Sequence, residues 1–260
     1  MQKLKELLDQ KVEQYNNPSF IEQDPICIPH SFNKLQDIEI AGFFAAILAW
    51  GNRKTIINNC KRLLSYMDNT PYDFVCNHSD SDLRPMLGFV HRTFNATDLL
   101  WLLHFLKGHY GRFYSLETAF AQFMNPESTD TTEALAGFHN YVFAEPGAPI
   151  RTRKHIATPL RHAACKRLNM FLRWMVRKDA LPAGGKVDFG LWKTIRPRQL
   201  ICPLDVHSGN VARRLGLLLR KQDDWKAALE LTAALRQFDS EDPVRYDYAL
   251  FGIGRMERMK

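Results

Sequence analysis

The feature that most restricts what this chain can fold into is the spacing of its apolar residues. They recur at helical intervals through most of the sequence, while alternating β-branched runs are scarce. The expected fold class is therefore all-α. Leu4 to Tyr15 reads as an amphipathic helix, followed by a loop through Pro18, Pro25 and Pro29. Asp37 is expected to cap a helix from Ile38 to Trp50 that is apolar on every side and therefore buried, with Gly51 ending it. Further helices are expected over Lys54–Met67, Pro71–Val75, Asp82–Leu87, Asp98–Lys107, Tyr114–Met124, Thr131–Phe143 and Ala163–Arg177. Three more are expected after Asp205 to about Leu219, after Asp224 to Gln237, and from Asp242 onward.

An apolar content of 45% in 260 residues is ample for a packed core. The five cysteines are widely spaced and form no C-x-x-C pair, so neither a zinc site nor an iron–sulfur cluster is indicated and a reducing compartment fits. The nine histidines show no H-x-x-x-H or H-E-x-x-H spacing, so no metal and no cofactor are expected. The first residues lack a hydrophobic secretory segment, and no apolar run is long enough to span a bilayer. A cytoplasmic protein with no membrane partner is the expectation. Trp50, Trp101, Trp174 and Trp192 read as core residues.

Charge divides the chain. Residues 1–150 hold 12 basic and 17 acidic residues, whereas residues 151–260 hold 23 and 11. Between Arg151 and Lys178 there are nine basic residues and no acidic one. Such a one-sided field attracts polyanions, nucleic acid above all.

Two segments carry possible chemistry. On the helix over Ala163–Arg177, Leu168, Phe171, Leu172 and Met175 form an apolar face. At about 100° per residue, Arg173 and Arg177 fall within about 20° of Lys166, with Asn169 beside them. That stripe is expected to face an anion. Lys166 lies in the first turn, where the helix dipole and two nearby arginines would disfavour its ammonium and make it a better nucleophile. In Pro203-Leu-Asp-Val-His207, Asp205 precedes a helix and reads as its N-cap, a place that also keeps a carboxylate ionised.

Together these segments resemble the helix-hairpin-helix DNA glycosylases, such as endonuclease III. Asp205, His207, Arg213, Arg214, Leu215 and Gly216 match the region around that family's catalytic aspartate. Lys166-Arg-Leu-Asn-Met-Phe-Leu172 is similar to the stretch that begins at its catalytic lysine. Ile40 to Trp50, Asn52, Asn69-Thr-Pro71 and Gly88-Phe-Val-His-Arg-Thr93 fall in matching order, and residues 108–159 have no counterpart. Through Leu172–Lys178 and Pro203–His207 the chain looks closest to a bacterial family of unknown function within that superfamily.

The chain departs from the pattern in three places. The Leu-Pro-Gly-x-Gly hairpin before the lysine is here Leu160-Arg-His-Ala-Ala-Cys165, so a tight phosphate-binding turn is not expected. Lys166 and Asp205 are 39 positions apart, a separation that requires an insertion over roughly 178–200. The glutamine that fills the space left by an extruded base is absent, and Asn52 or Arg53 is the nearest candidate. Leu181-Pro-Ala-Gly-Gly-Lys186 offers a rival lysine 19 positions before Asp205, but no helical apolar repeat follows it. Asp247 is an alternative carboxylate.

The resemblance implies two helical lobes flanking a cleft: residues 38–180, then 1–37 with 200–260, joined by 181–199. It implies a monomeric DNA glycosylase and AP lyase acting on damaged double-stranded DNA, with Lys166 and Asp205 catalytic. Asn52, Arg53, Arg161, Arg167, Asn169, Arg173, Arg177, His207 and Arg213 would contact DNA. The rival reading is a catalytically inactive nucleic-acid-binding protein on the same scaffold. A helical protein-interaction module is a third.

Overall fold

A computed structural model describes residues 1–125, 127–179 and 186–255. Among these the regular structure is almost all helical, as the apolar spacing predicts. The helices of its first half are α1 (Gln2–Tyr15), α2 (Ser19–Glu22), α3 (Leu35–Ile47), α4 (Arg53–Ser65), α5 (Pro71–Asn77), α6 (Asp80–Leu83) and α7 (Ala96–Tyr110). The rest follow as α8 (Thr118–Ala121), α9 (Thr132–Val142), α10 (Lys166–Val176), α11 (Val206–Arg214), α12 (Trp225–Arg236) and α13 (Asp247–Arg255). The described strands are β1 (Val90–His91) and β2 (Phe94–Asn95), an antiparallel hairpin pairing Val90 with Asn95 and His91 with Phe94. Arg92 takes a left-handed φ of 57° in its two-residue turn, as such hairpins require.

The chain divides into two compact units. One comprises Met1–Phe20, Pro126–Glu133 and Thr158–Lys260; the other comprises Ile21–Asn125 and Ala134–Ala157. This differs from the grouping expected from sequence: residues 158–179 fold with the C-terminal helices, and residues 21–37 fold with the other unit. Ion pairs from α10 to Asp242 and Asp247, described below, are among the contacts that join residues 158–179 to the C-terminal helices.

In the second unit α3 is buried from Ile38 to Ile47, as its all-round apolar character predicts. Asp37 does not cap it. The helix starts earlier, at Leu35, and the Asp37 carboxylate instead accepts from the Tyr72 backbone N–H at 2.8 Å. Glu39 lies fully inside this core, where an unpaired carboxylate would be costly. It accepts from Tyr110 Oη (2.9 Å), Ser115 Oγ (2.5 Å) and the Leu116 N–H (3.0 Å), tying α3 to the end of α7.

In the first unit α10 forms the centre, with every residue from Leu168 to Val176 buried. The segment after it runs back along its C-terminal end. Phe189 N–H donates to the Trp174 carbonyl at 2.8 Å, and Leu191 and Trp192 N–H donate to Met175 at 2.7 and 3.0 Å. These bonds satisfy carbonyls that a helix end leaves free, and they seat Trp192 edge-on against Phe171. Helices α1 and α11 both pack closely on α13. A Cβ at Gly252 would fall 2.0 Å from the Tyr15 ring, and one at Gly254 would fall 3.2 Å from Val211 Cγ2. Asp224 caps α12 as expected. Helix α11 ends at Arg214 rather than Leu219, because Gly216 turns the chain with a φ of 72°.

Candidate active site

Local geometry sets where Lys166 begins its helix. His162 takes φ 58°, and Cys165 takes φ 51° as the N-cap of α10. A tight turn therefore forms without glycine. It is tied to the start of α12 by a bond from Trp225 N–H to the His162 carbonyl at 3.0 Å. Lys166 is the first residue of α10, so the helix starts three residues later than the apolar spacing suggests.

Asp205 caps α11 as predicted. Its Oδ1 accepts from the backbone N–H of His207 (2.9 Å) and Ser208 (3.0 Å), and Ser208 Oγ accepts from the Asp205 N–H at 3.0 Å. The other carboxylate oxygen is left for a second partner. That partner is Lys166, whose Nζ lies 3.5 Å from Asp205 Oδ2, with both side chains about one-third exposed. Burial pushes the Asp205 carboxyl up, but the Lys166 ammonium and the two N–H donors outweigh it and hold the group below the usual carboxylate range.

The rest of the expected anion-facing stripe turns inward. Arg173 and Arg177 are each 4% exposed. Arg173 pairs with Asp247 and, at 3.4 Å, with Asp188 Oδ1. Arg177 pairs with Asp179, with Asp188 Oδ2 at 2.9 Å and with Asp242 Oδ2 at 2.8 Å. Both guanidinium groups also lie over the Tyr248 ring, at 4.2 and 5.6 Å. These arginines cannot serve as DNA contacts, because a phosphate would have to displace buried carboxylates. Nor do they surround Lys166 with uncompensated positive charge as expected. Asn169 is also buried, its Nδ2 donating to the Ala164 carbonyl at 3.1 Å.

The remaining predicted contacts are mixed. Arg161 and His207 are exposed. Arg167 is half-buried, and burial pulls it down to about 10. Arg213 is committed within its own unit, donating from Nε to the Arg220 carbonyl at 2.8 Å and from Nη2 to Asp223 at 2.6 Å. Asn52 and Arg53 belong to the other unit, where Asn52 caps α4 by accepting from the Thr55 N–H at 3.2 Å. The rival Lys186 is exposed and makes no ion pair among the described residues, and the glycines before it lie outside those residues. Trp174 and Trp192 are core residues as expected, whereas Trp50 and Trp101 are half-buried.

Sequence reasoning missed the carboxylates that meet the two arginines. Asp188 falls in the segment read as an insertion, and Asp179 accepts from Asn16 Nδ2 and from the Val187 and Asp188 N–H groups, each at 2.8 Å. A usable signal was present. In Met170-Phe-Leu-Arg-Trp-Met-Val176 a lone arginine interrupts an otherwise apolar run, which leaves no solvated arc and demands a buried counter-charge.

These features define an all-α protein with a part-exposed lysine–aspartate pair at two helix starts, backed by a buried arginine–aspartate network. Among the described residues no helix is long and apolar enough to cross a membrane, and no group of His, Cys, Asp and Glu is arranged to hold a metal ion. The chain belongs to the family described as Protein of unknown function (DUF2400), whose profile matches residues 24–256. No curated protein and no solved structure matches it.

Proposed function

We propose that this protein is a DNA glycosylase with AP lyase activity in which Lys166 is the nucleophile and Asp205 the electrostatic partner. The observation that carries the reading is the 3.5 Å approach of Lys166 Nζ to Asp205 Oδ2, between residues 39 positions apart. Both termini are chemically suited to the task. An ionised Asp205 stabilises positive character at C1′ of a deoxyribose as its base departs. The Lys166 amine, once it has given up a proton, attacks C1′; the carbon–nitrogen bond to the sugar forms, and the glycosidic electron pair leaves with the base. Opening of the sugar ring gives a Schiff base, from which β-elimination expels the 3′ phosphate. A damaged base is extruded at least cost, so selectivity begins there. The proposed enzyme needs no cofactor, acts as a monomer on double-stranded DNA and belongs in the cytoplasm.

The test is covalent trapping. Wild-type protein incubated with DNA containing an abasic site and borohydride is expected to form an adduct that Lys166→Ala abolishes and Lys186→Ala leaves intact. A second reading, a non-catalytic nucleic-acid-binding protein, is favoured by the glycine-free turn before Lys166. It predicts salt-sensitive DNA binding with no adduct from the wild type.

A further inference from the structure

Gly108 stands inside α7, where a glycine weakens a helix relative to alanine unless something needs the missing side chain. At Gly137 and Gly252 the need is packing, because a Cβ there would fall 2.1 Å from the Phe123 ring and 2.0 Å from the Tyr15 ring. Gly108 has no such neighbour. Outside the backbone of its own helix, a Cβ would meet only Glu145 Oε1, at 3.9 Å, which is ordinary contact. What the glycine leaves is space. A helical side chain lies over the turn before it, so one at position 108 would extend across His104 and Phe105, the residues four and three positions earlier. Those two, with Trp101 and with Arg112 after the helix, line a cavity of about 100 Å³ that is closed on its far side by Tyr141 and Glu145, at and after the end of α9.

The walls of this cavity are fixed by their own bonds. Trp101 Nε1 donates to the Val142 carbonyl at 3.0 Å, and Phe105 meets the Tyr141 ring edge-on at 5.1 Å between centroids. Arg112 donates from Nε to the Gly108 carbonyl and from Nη2 to Tyr141 Oη, each at 3.0 Å. His104 Nε2 donates to Glu145 Oε2 at 2.6 Å. Each charged group keeps one terminus unused: Arg112 Nη1 and Glu145 Oε1 have no hydrogen-bond partner among the described residues. A guanidinium only donates and a carboxylate only accepts. We infer that the cavity is a binding site for a small planar ring carrying an N–H donor beside a carbonyl acceptor, a cyclic ureide such as a pyrimidinone. Glu145 Oε1 takes the N–H, Arg112 Nη1 supplies the carbonyl, and Trp101, Phe105 and Tyr141 give the ring its apolar contact. Size sets the limit at one ring, since benzene occupies an apolar cavity of roughly 150 Å³. His104, Arg112 and Glu145 are exposed, so the polar edge of the ligand faces the opening. The site lies within the unit of residues 21–125 and 134–157 and is independent of Lys166 and Asp205.

The probe is uracil, read by saturation-transfer NMR on the full chain. It should bind with a Kd of about 1 mM, the range open to so small a ligand. Benzoate offers acceptors only and benzamidine donors only, so each sets a like charge against Glu145 or Arg112 and should bind about tenfold more weakly or worse. Glu145→Ala and Arg112→Met should each weaken uracil by about tenfold or more, as for a hydrogen bond to a charged group. Gly108→Leu fills the cavity and removes a helix-interior glycine. It should abolish the uracil signal while raising the melting temperature by about 2 °C or more, which separates a blocked site from a damaged fold. No uracil signal at about 10 mM, ten times the expected Kd, overturns the inference. So does a signal that survives Gly108→Leu, or benzoate or benzamidine binding as tightly as uracil; the comparison of the three probes on the wild type stands even if the variants fail to fold. None of these outcomes bears on trapping at Lys166, so this site and the repair reading fail separately.

Discussion

Replacing Arg177 by methionine should test how much the buried network contributes. The guanidinium faces Asp179, Asp188 and Asp242, and its own burial, which disfavours charge, is outweighed by those three carboxylates, so it is held protonated more firmly than usual. Removing one partner from a buried pair costs roughly 3–5 kcal/mol, and with three carboxylates each losing an ion-pair partner the loss belongs within that range although Asp188 keeps Arg173. The sign with pH follows from each group. Burial raises Asp179, but Arg177, Asn16 and two backbone donors outweigh it, so its folded pKa lies below the unfolded one. Its stabilisation is present above the unfolded value and lost only as pH falls through the lowered one. Without Arg177, burial is opposed at Asp188 by Arg173 and at Asp179 by Asn16 and two backbone donors, but all three folded values rise, those of Asp188 and Asp242 from levels already above the usual carboxylate range. The penalty is then full at alkaline pH and fades as pH falls. Urea denaturation followed by fluorescence of Trp174 and Trp192 should therefore show a deficit that is largest near pH 8 and smaller near pH 5. A loss under about 1 kcal/mol, or one that is the same at both pH values, would refute the claim that these charges are desolvated and matched by Arg177.

Three further outcomes are expected. Asp247 has a folded pKa of about 6, above the unfolded carboxylate value, so its contribution weakens the fold as pH rises from about 4 through 6, by about 3 kcal/mol; urea midpoints compared with those of Asp247→Asn isolate it. Asp205→Asn keeps an N-cap acceptor while deleting the charge that meets Lys166. Its melting temperature should barely move, while trapping on abasic DNA falls by about 10²-fold or more. Gly252→Ala should cost about 1–3 kcal/mol through its clash with Tyr15, and Tyr15→Leu in the same chain should restore part of that loss in thermal melts.

What the sequence made legible was local. Helix α3 could be read because apolar residues on all its faces leave burial as the one outcome, and α12 because Asp224 stands before a regular repeat. The end of α11 was misplaced because buried Leu217 and Leu218 continue its apolar pattern past the Gly216 turn. The candidate site was legible in a different way. Lys166 and Asp205 were singled out by their family resemblance and helix-start positions, since no periodicity links residues 39 apart. The amphipathic reading of α10 failed where it mattered most. It assumed that arginine faces solvent, whereas Arg173 and Arg177 meet carboxylates delivered by residues 179, 188, 242 and 247, and a hydrophobicity pattern carries no information about such distant partners.

The corner before Lys166 has its own consequence. His162 and Cys165 hold backbone angles that glycine adopts freely and that cost other residues about 1–2 kcal/mol each. The nitrogen at the head of α10 is thus aimed by a compressed joint and not by slack chain. Glycine at either link would ease the compression and make the protein sturdier, yet it would also let the nitrogen wander, so a more stable variant could be a worse marksman.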